Sequence, residues 1–229
     1  MDPSPSGYVL ASTATLHAQI EIKRSRFLAR VERVTSAADA RGIVAAECER
    51  YPDARHHCAA FVVSVPHAQP ILHSSDDGEP AGTAGRPILD TLTGVPLTDT
   101  VAVVTRYFGG TLLGTGGLVR AYSDAVRTCI EGAHLAIRLA VPRYVMRLPH
   151  AIAGRYLAHF AALGWDASPE YSSSFVTVTV STRDDVAARI AALSSGSISA
   201  EYLGDETIDQ PCGIIRDGQA VICDSSPTH

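Results

Sequence analysis

The residues best suited to chemistry in this chain lie between Arg106 and Arg120. Gly109, Gly110, Gly114, Gly116 and Gly117 separate an apolar run, Val101 to Thr105, from the opening of a helical pattern. Arg106 and Tyr107 stand before them, and Arg120 stands after. A glycine-rich turn that leads into a helix leaves backbone N–H groups free to meet an anion. Two familiar phosphate motifs do not fit. Gly109 and Gly114 have P-loop spacing, but Thr115-Gly116 stands where Lys-Ser/Thr is required. The dinucleotide pattern GxGxxG also fails, because Gly114-Thr115-Gly116 is followed at once by Gly117. P-loop hydrolysis and Rossmann chemistry are thereby set aside.

A second group is acidic. Asp76, Asp77 and Glu79 precede Gly82, Thr83, Gly85 and Arg86, where a helix is predicted from about Arg86 to Leu92. Carboxylates at a helix N-terminus complement its dipole, which is the favoured role here. They could also hold Mg²⁺ or order a partner's basic group. His56 and His57 form a third group, at the start of an apolar strand over Cys58 to Val65. Neighbours on a strand point to opposite faces, so the two cannot both serve one metal. Cys58 reads as inert core, and no Ser-His-Asp or Cys-His arrangement stands out. No catalytic residue, metal or cofactor is assigned.

Composition bounds the function class. A chain of 229 residues with 46% apolar content can build a proper core in two domains of ordinary size. A net charge of −5 argues against non-specific coating of nucleic acid, although a local basic patch remains compatible with it. Five cysteines, an odd number with no CxxC pair, read as reduced thiols. No run approaches the length of a membrane span and no secretory start is present, so a cytoplasmic protein is expected. Lys23 is the only lysine among 19 basic side chains, a bias that a GC-rich genome would produce.

The elements that must position these groups follow from periodicity. Residues 1–14 read as a loose tail. Alternation over Leu16 to Ile22 and Phe27 to Val34 predicts a hairpin, with Lys23, Arg24 and Arg26 at its tip as solvated surface. Ser36 and Asp39 resemble a capping box for a helix that Pro52 stops. The run Val101 to Thr105 reads as a central strand covered on both faces, and Leu118, Tyr122, Ala125 and Cys129 as one face of a helix. Beyond Val141 the order is βαββαβ, which suggests a small ferredoxin-like domain over 142–222 with a tail at 223–229. The fold class is α+β.

Three segments together resemble the YigZ/IMPACT family. They are Pro52-Asp53-Ala54-Arg55-His56-His57-Cys58, then Ser75 through Pro87, then Arg106 through Tyr122. The resemblance is strong over roughly Leu16 to Leu135. It implies an N-terminal α/β sandwich of the ribosomal-protein and elongation-factor type over 15–141, followed by the ferredoxin-like domain. Eukaryotic members of this family resemble regulators of translation that use an additional N-terminal domain to reach protein partners. A first strand near Thr15 leaves no room ahead of it for such a domain. Bacterial relatives are described as of unknown function, with suspected nucleic-acid binding.

The favoured expectation is a non-enzymatic binding protein, RNA- or translation-associated, which holds an anionic ligand where the two glycine-rich loops meet. Its ligand-binding residues are those of the three groups above, from His56 to Arg120. A regulator that docks protein partners through the C-terminal domain ranks second. A metal-assisted hydrolase that uses Asp76, Asp77 or Glu79 with His56 or His57 ranks third.

Overall fold

The computed structural model describes residues 7–66 and 68–223. It divides into two compact units: one runs to Arg138 and resumes at Asp209, and the other is Leu139–Ile208. Both mix helices and strands, so the α+β class holds.

The first unit is built on a five-stranded antiparallel sheet. Its strands are β2 (Leu16–Ile22), β3 (Ser25–Arg33), β4 (His56–Val63), β5 (Ile71–Ser75) and β6 (Thr100–Tyr107). They lie in the order β2-β3-β6-β4-β5. The strands β4 and β6 are apolar on both faces because both faces are covered, and the side-chain alternation sorts them cleanly. Cys58, Ala60, Val62, Ala102 and Val104 belong to one core with Phe27, Leu118, Tyr122 and Ile130. That side is closed by α2 (Gly85–Gly94) and α3 (Thr115–Ile130). Ala59, Phe61, Val63, Val101 and Val103 form a second core beneath α1 (Ala37–Arg50). As the spacing predicts, the Ser36 hydroxyl caps α1 by accepting the Asp39 N–H at 3.1 Å.

Of the expected tail 1–14, residues 1–6 lie outside the described residues. Within the remainder, β1 (Val9–Leu10) pairs with β7 (His134–Leu148), and both of its side chains are buried. Two adjacent apolar side chains bury readily against a neighbouring strand, and that outweighs the polar residues around them. The expected C-terminal tail, apart from Cys223, also lies outside the described residues.

The second unit carries the predicted order. After β7 come α4 (His150–Ala162), β8 (Asp166–Tyr171), β9 (Val176–Ser181), α5 (Val186–Ser194) and β10 (Glu201–Arg216). The strands lie in the order β10-β7-β9-β8, with Met146, Leu148, Phe160, Val178 and Ile190 in the core. The strands β7 and β10 each run past the boundary of this unit, so the chain leaves and re-enters the first unit along strands. From Asp209 onward, β10 forms a hairpin with β11 (Gln219–Ile222), and Cys212 and Ile215 join the first unit's core.

One close approach fixes the end of the large sheet. A side chain at Gly109 would put its Cβ 2.0 Å from the carbonyl carbon of Arg24, so only glycine lets the loop after β6 lie against the β2–β3 turn. Gly109→Ala should therefore destabilise the protein by about 3 kcal/mol, read as a lower urea midpoint.

Candidate functional site

The site grows from the strand register at one end of the sheet. His56 on β4 and Phe27 on β3 both lie opposite Arg106 on β6, and all three face α2 and α3. The next pair, His57 and Thr105, faces the α1 side, where His57 Nδ1 lies 3.0 Å from Thr105 Oγ1. The two histidines are thus on opposite faces, as strand geometry dictates.

Beneath His56 lies a buried ion pair. Arg106 Nη1 donates to Glu79 Oε1 at 2.5 Å, and the Tyr122 hydroxyl donates to the same oxygen at 2.8 Å. Glu79 is 9% exposed, Arg106 6% and Tyr122 0%. Arg106 Nη2 lies 3.5 Å from Ser25 Oγ, while Arg106 Nε is buried without a partner among the described residues. Cys58 Sγ lies 2.9 Å from the Asp76 carbonyl oxygen and 3.3 Å from the Tyr122 hydroxyl. Burial pushes the Cys58 thiol up to about 12, against the opposing effect of its hydrogen bond with the Tyr122 hydroxyl. Burial, and then the neighbouring Cys58 and Glu79, raise the Tyr122 phenol. Both groups keep their protons at neutral pH, so Cys58 supplies no thiolate nucleophile.

The acidic loop is turned largely upon itself. The Asp76 carboxylate accepts the N–H groups of Gly82, Ala84 and Gly85 at 2.8, 2.9 and 2.8 Å. It therefore caps α2 through space, although it lies nine residues before Gly85. Partial burial alone would raise this carboxyl, but the three N–H donors outweigh it and hold it below the usual carboxylate range. Asp77 secures the start of β4: its Oδ2 accepts the His57 N–H at 2.6 Å, and its carbonyl oxygen lies 2.7 Å from His56 Nδ1. Thr83 donates to the Pro80 carbonyl at 2.7 Å, and Arg86 pairs with Asp90 at 2.7 Å along α2.

The second glycine-rich loop is more open. Gly109 N–H donates to Ser25 Oγ at 3.1 Å, but α3 begins without a side-chain cap, at Gly114 with φ 72°. Leu118 N–H makes the bond back to the Gly114 carbonyl. The amides of Thr115, Gly116 and Gly117 precede it at the positively polarised helix end. Gly110 and Arg120 are exposed. Tyr107 lies on the other face, where its hydroxyl donates to Asp53 at 2.7 Å beneath the Arg26 guanidinium.

These parts enclose a pocket of about 430 Å³. Glu79 and Pro80 from the acidic loop, Leu112 to Thr115 from the second glycine-rich loop, and Arg106 and Leu118 line it. Arg55, His56 and Phe108 stand at its mouth, with Phe108 51% and Leu112 82% exposed. Of the expected ligand residues, His56, Glu79, Arg106 and Gly114 line it. His57, Asp76, Asp77, Gly82, Thr83, Gly85, Arg86, Tyr107, Gly109, Gly110, Gly116, Gly117 and Arg120 do not. Arg55, Phe108, Leu112, Leu113 and Thr115 line it without having been singled out. Arg55 was within reach of sequence reasoning, since it directly precedes His56 in the first family segment. A larger recess, about 840 Å³, opens at the far end of β4 beside Val62, Ser64, Leu72 and Pro96, but no charged side chain lines it among the described residues.

The Impact N-terminal domain family matches residues 23–130, the region that carries the pocket. The IMPACT family member YigZ of Escherichia coli (strain K12) is 47% identical over 111 residues, 48% of this chain and 54% of that protein. An IMPACT family member of Thermus thermophilus is 37% identical over 150 residues, 66% of this chain and 79% of the relative. The match thus spans only about half the length of the E. coli protein. A crystal structure of a hypothetical protein superposes with a TM-score of 0.56 at 33% identity, covering 85% of this chain and 95% of its own.

Two measurements probe these contacts. Asp76 has a lowered folded pKa, so its stabilisation is complete above about pH 4 and is lost as pH falls through that folded value. Asp76→Ala should cost about 2 kcal/mol at pH 7 and leave a flatter acid limb in the dependence of the urea midpoint on pH. Glu79→Gln strands the Arg106 charge in the core and should cost about 3 to 5 kcal/mol. Joint replacement, Glu79→Leu with Arg106→Met, should recover most of that loss.

Proposed function

Because the chain belongs to the YigZ/IMPACT family, whose shared domain holds this pocket, we propose that its first unit is a non-enzymatic module that takes one nucleotide of single-stranded RNA. The observation that carries the reading is the pocket's composition. Apolar and aromatic side chains, Phe108, Leu112, Leu113 and Leu118, line a space with cationic groups and uncapped helix amides at its rim. A base has a π-face for Phe108, and its phosphate suits Arg55, His56 and the amides that open α3. Arg106 is already neutralised by Glu79, so it shapes the floor and does not grip the anion. The net charge of −5 suits a protein that holds a few phosphates and does not coat a strand.

The acidic loop supports binding over hydrolysis. Asp76 is engaged by three amides, Asp77 by the start of β4, and Glu79 by Arg106 and Tyr122. His57 faces away from all three. Among the described residues no helix is long and apolar enough to cross a membrane.

Fluorescence anisotropy with a labelled oligoribonucleotide across a salt series tests the proposal. Affinity should fall as salt rises. Phe108→Ala should weaken binding by roughly 1 to 3 kcal/mol through lost stacking, and Arg55→Glu should weaken it further at low salt. If both variants bind like the wild type, the pocket is not the site.

A further inference from the structure

The turn between β2 and β3 is built from unfavourable residues. Ile22 pairs with Ser25, so Lys23 and Arg24 alone reverse the chain. Both have positive φ, 47° and 66°. A two-residue turn of this kind favours Asn-Gly, because side chains crowd the backbone in the left-handed region. Neither side chain gains a packing or ionic contact that offsets that strain. Both side chains are exposed, and among the described residues neither forms an ion pair. Strained positions filled by costly residues point to a use for the side chains.

The turn is also held in a definite place. Glycine at position 109 lets the loop after β6 press against Arg24, and the Ser25 hydroxyl accepts the Gly109 N–H while lying within 3.5 Å of Arg106. The backbone that carries the two cations is thereby held beside the loop that continues into the pocket lining. Glu21, the carboxylate nearest in sequence, lies opposite Arg26 on the strands and not in the turn. Arg26 itself lies over the Tyr107 ring, 4.8 Å from its centre.

We infer that Lys23 and Arg24 hold the phosphates of neighbouring nucleotides, so that a single strand with one base in the pocket continues across the hairpin tip. This rests on the reading of the pocket as a nucleotide site. The residues that such a turn favours have been given up for two phosphate contacts.

The double variant Lys23→Asn/Arg24→Gly separates the two ideas, because it installs the residues the turn favours and so should fold well. Its unfolding temperature should rise. Binding of uridine monophosphate, followed by NMR titration, should stay at the wild-type level. For a fluorescein-labelled decauridylate, the slope of log affinity against log salt should flatten by about 1.4, roughly 0.7 for each lost phosphate contact on a single strand. An unchanged slope with monophosphate binding intact overturns the hairpin track and leaves the pocket standing. Wild-type protein that binds neither probe overturns both.

Discussion

The site depends on a pair of opposite charges taken out of water. Glu79 arrives on the loop after β5, Arg106 near the end of β6, and Tyr122 on α3, so one carboxylate ties three segments that are far apart in sequence. An ion pair at this depth contributes little net stability over well-packed apolar residues, because desolvation offsets most of the attraction. What it does impose is arrangement. Any rearrangement that separates Glu79 from Arg106 leaves a bare charge in the core, so the loop, the strand end and the helix must come together in one way. The pocket is the space left above that constraint.

The two glycine-rich loops look alike in sequence and behave differently. Around Asp76, the glycines let the chain curl tightly enough for its own amides to reach a carboxylate, and the loop satisfies itself. At α3 no acidic residue is present to do the same, and the first amides of the helix remain open at the pocket edge. An internal carboxylate fills one turn, while the other opens its helix without a side-chain cap.

Much of this was legible from residue patterns. The apolar runs of β4 and β6 announced strands covered on both faces, adjacent histidines had to diverge, and Tyr122 fell on the buried face of a predicted helix. Pairing was not legible. Nothing in the spacing says that Glu79 will neutralise Arg106, 27 residues away, or that Asp76 will cap a helix through space. Nor could alternation along β6 show that Tyr107 turns to Asp53 while Phe108 reaches the pocket mouth, because that depends on where the strand ends. Arg55 and the Leu112-Leu113 pair escaped notice for a related reason: an exposed arginine or leucine becomes part of a site only through its three-dimensional neighbours. Val9 and Leu10 were hidden by the polar residues around them.

The route of β7 and β10 makes the second unit an insertion in the first, which resumes at Asp209 and completes its core with Cys212 and Ile215. The two stubs are already neighbours: Arg138 Nε lies 3.8 Å from Asp209 Oδ1. A stop codon placed after residue 141 would amputate part of the pocket-bearing body. Excising Leu139–Ile208 and splicing the stubs would keep that body whole.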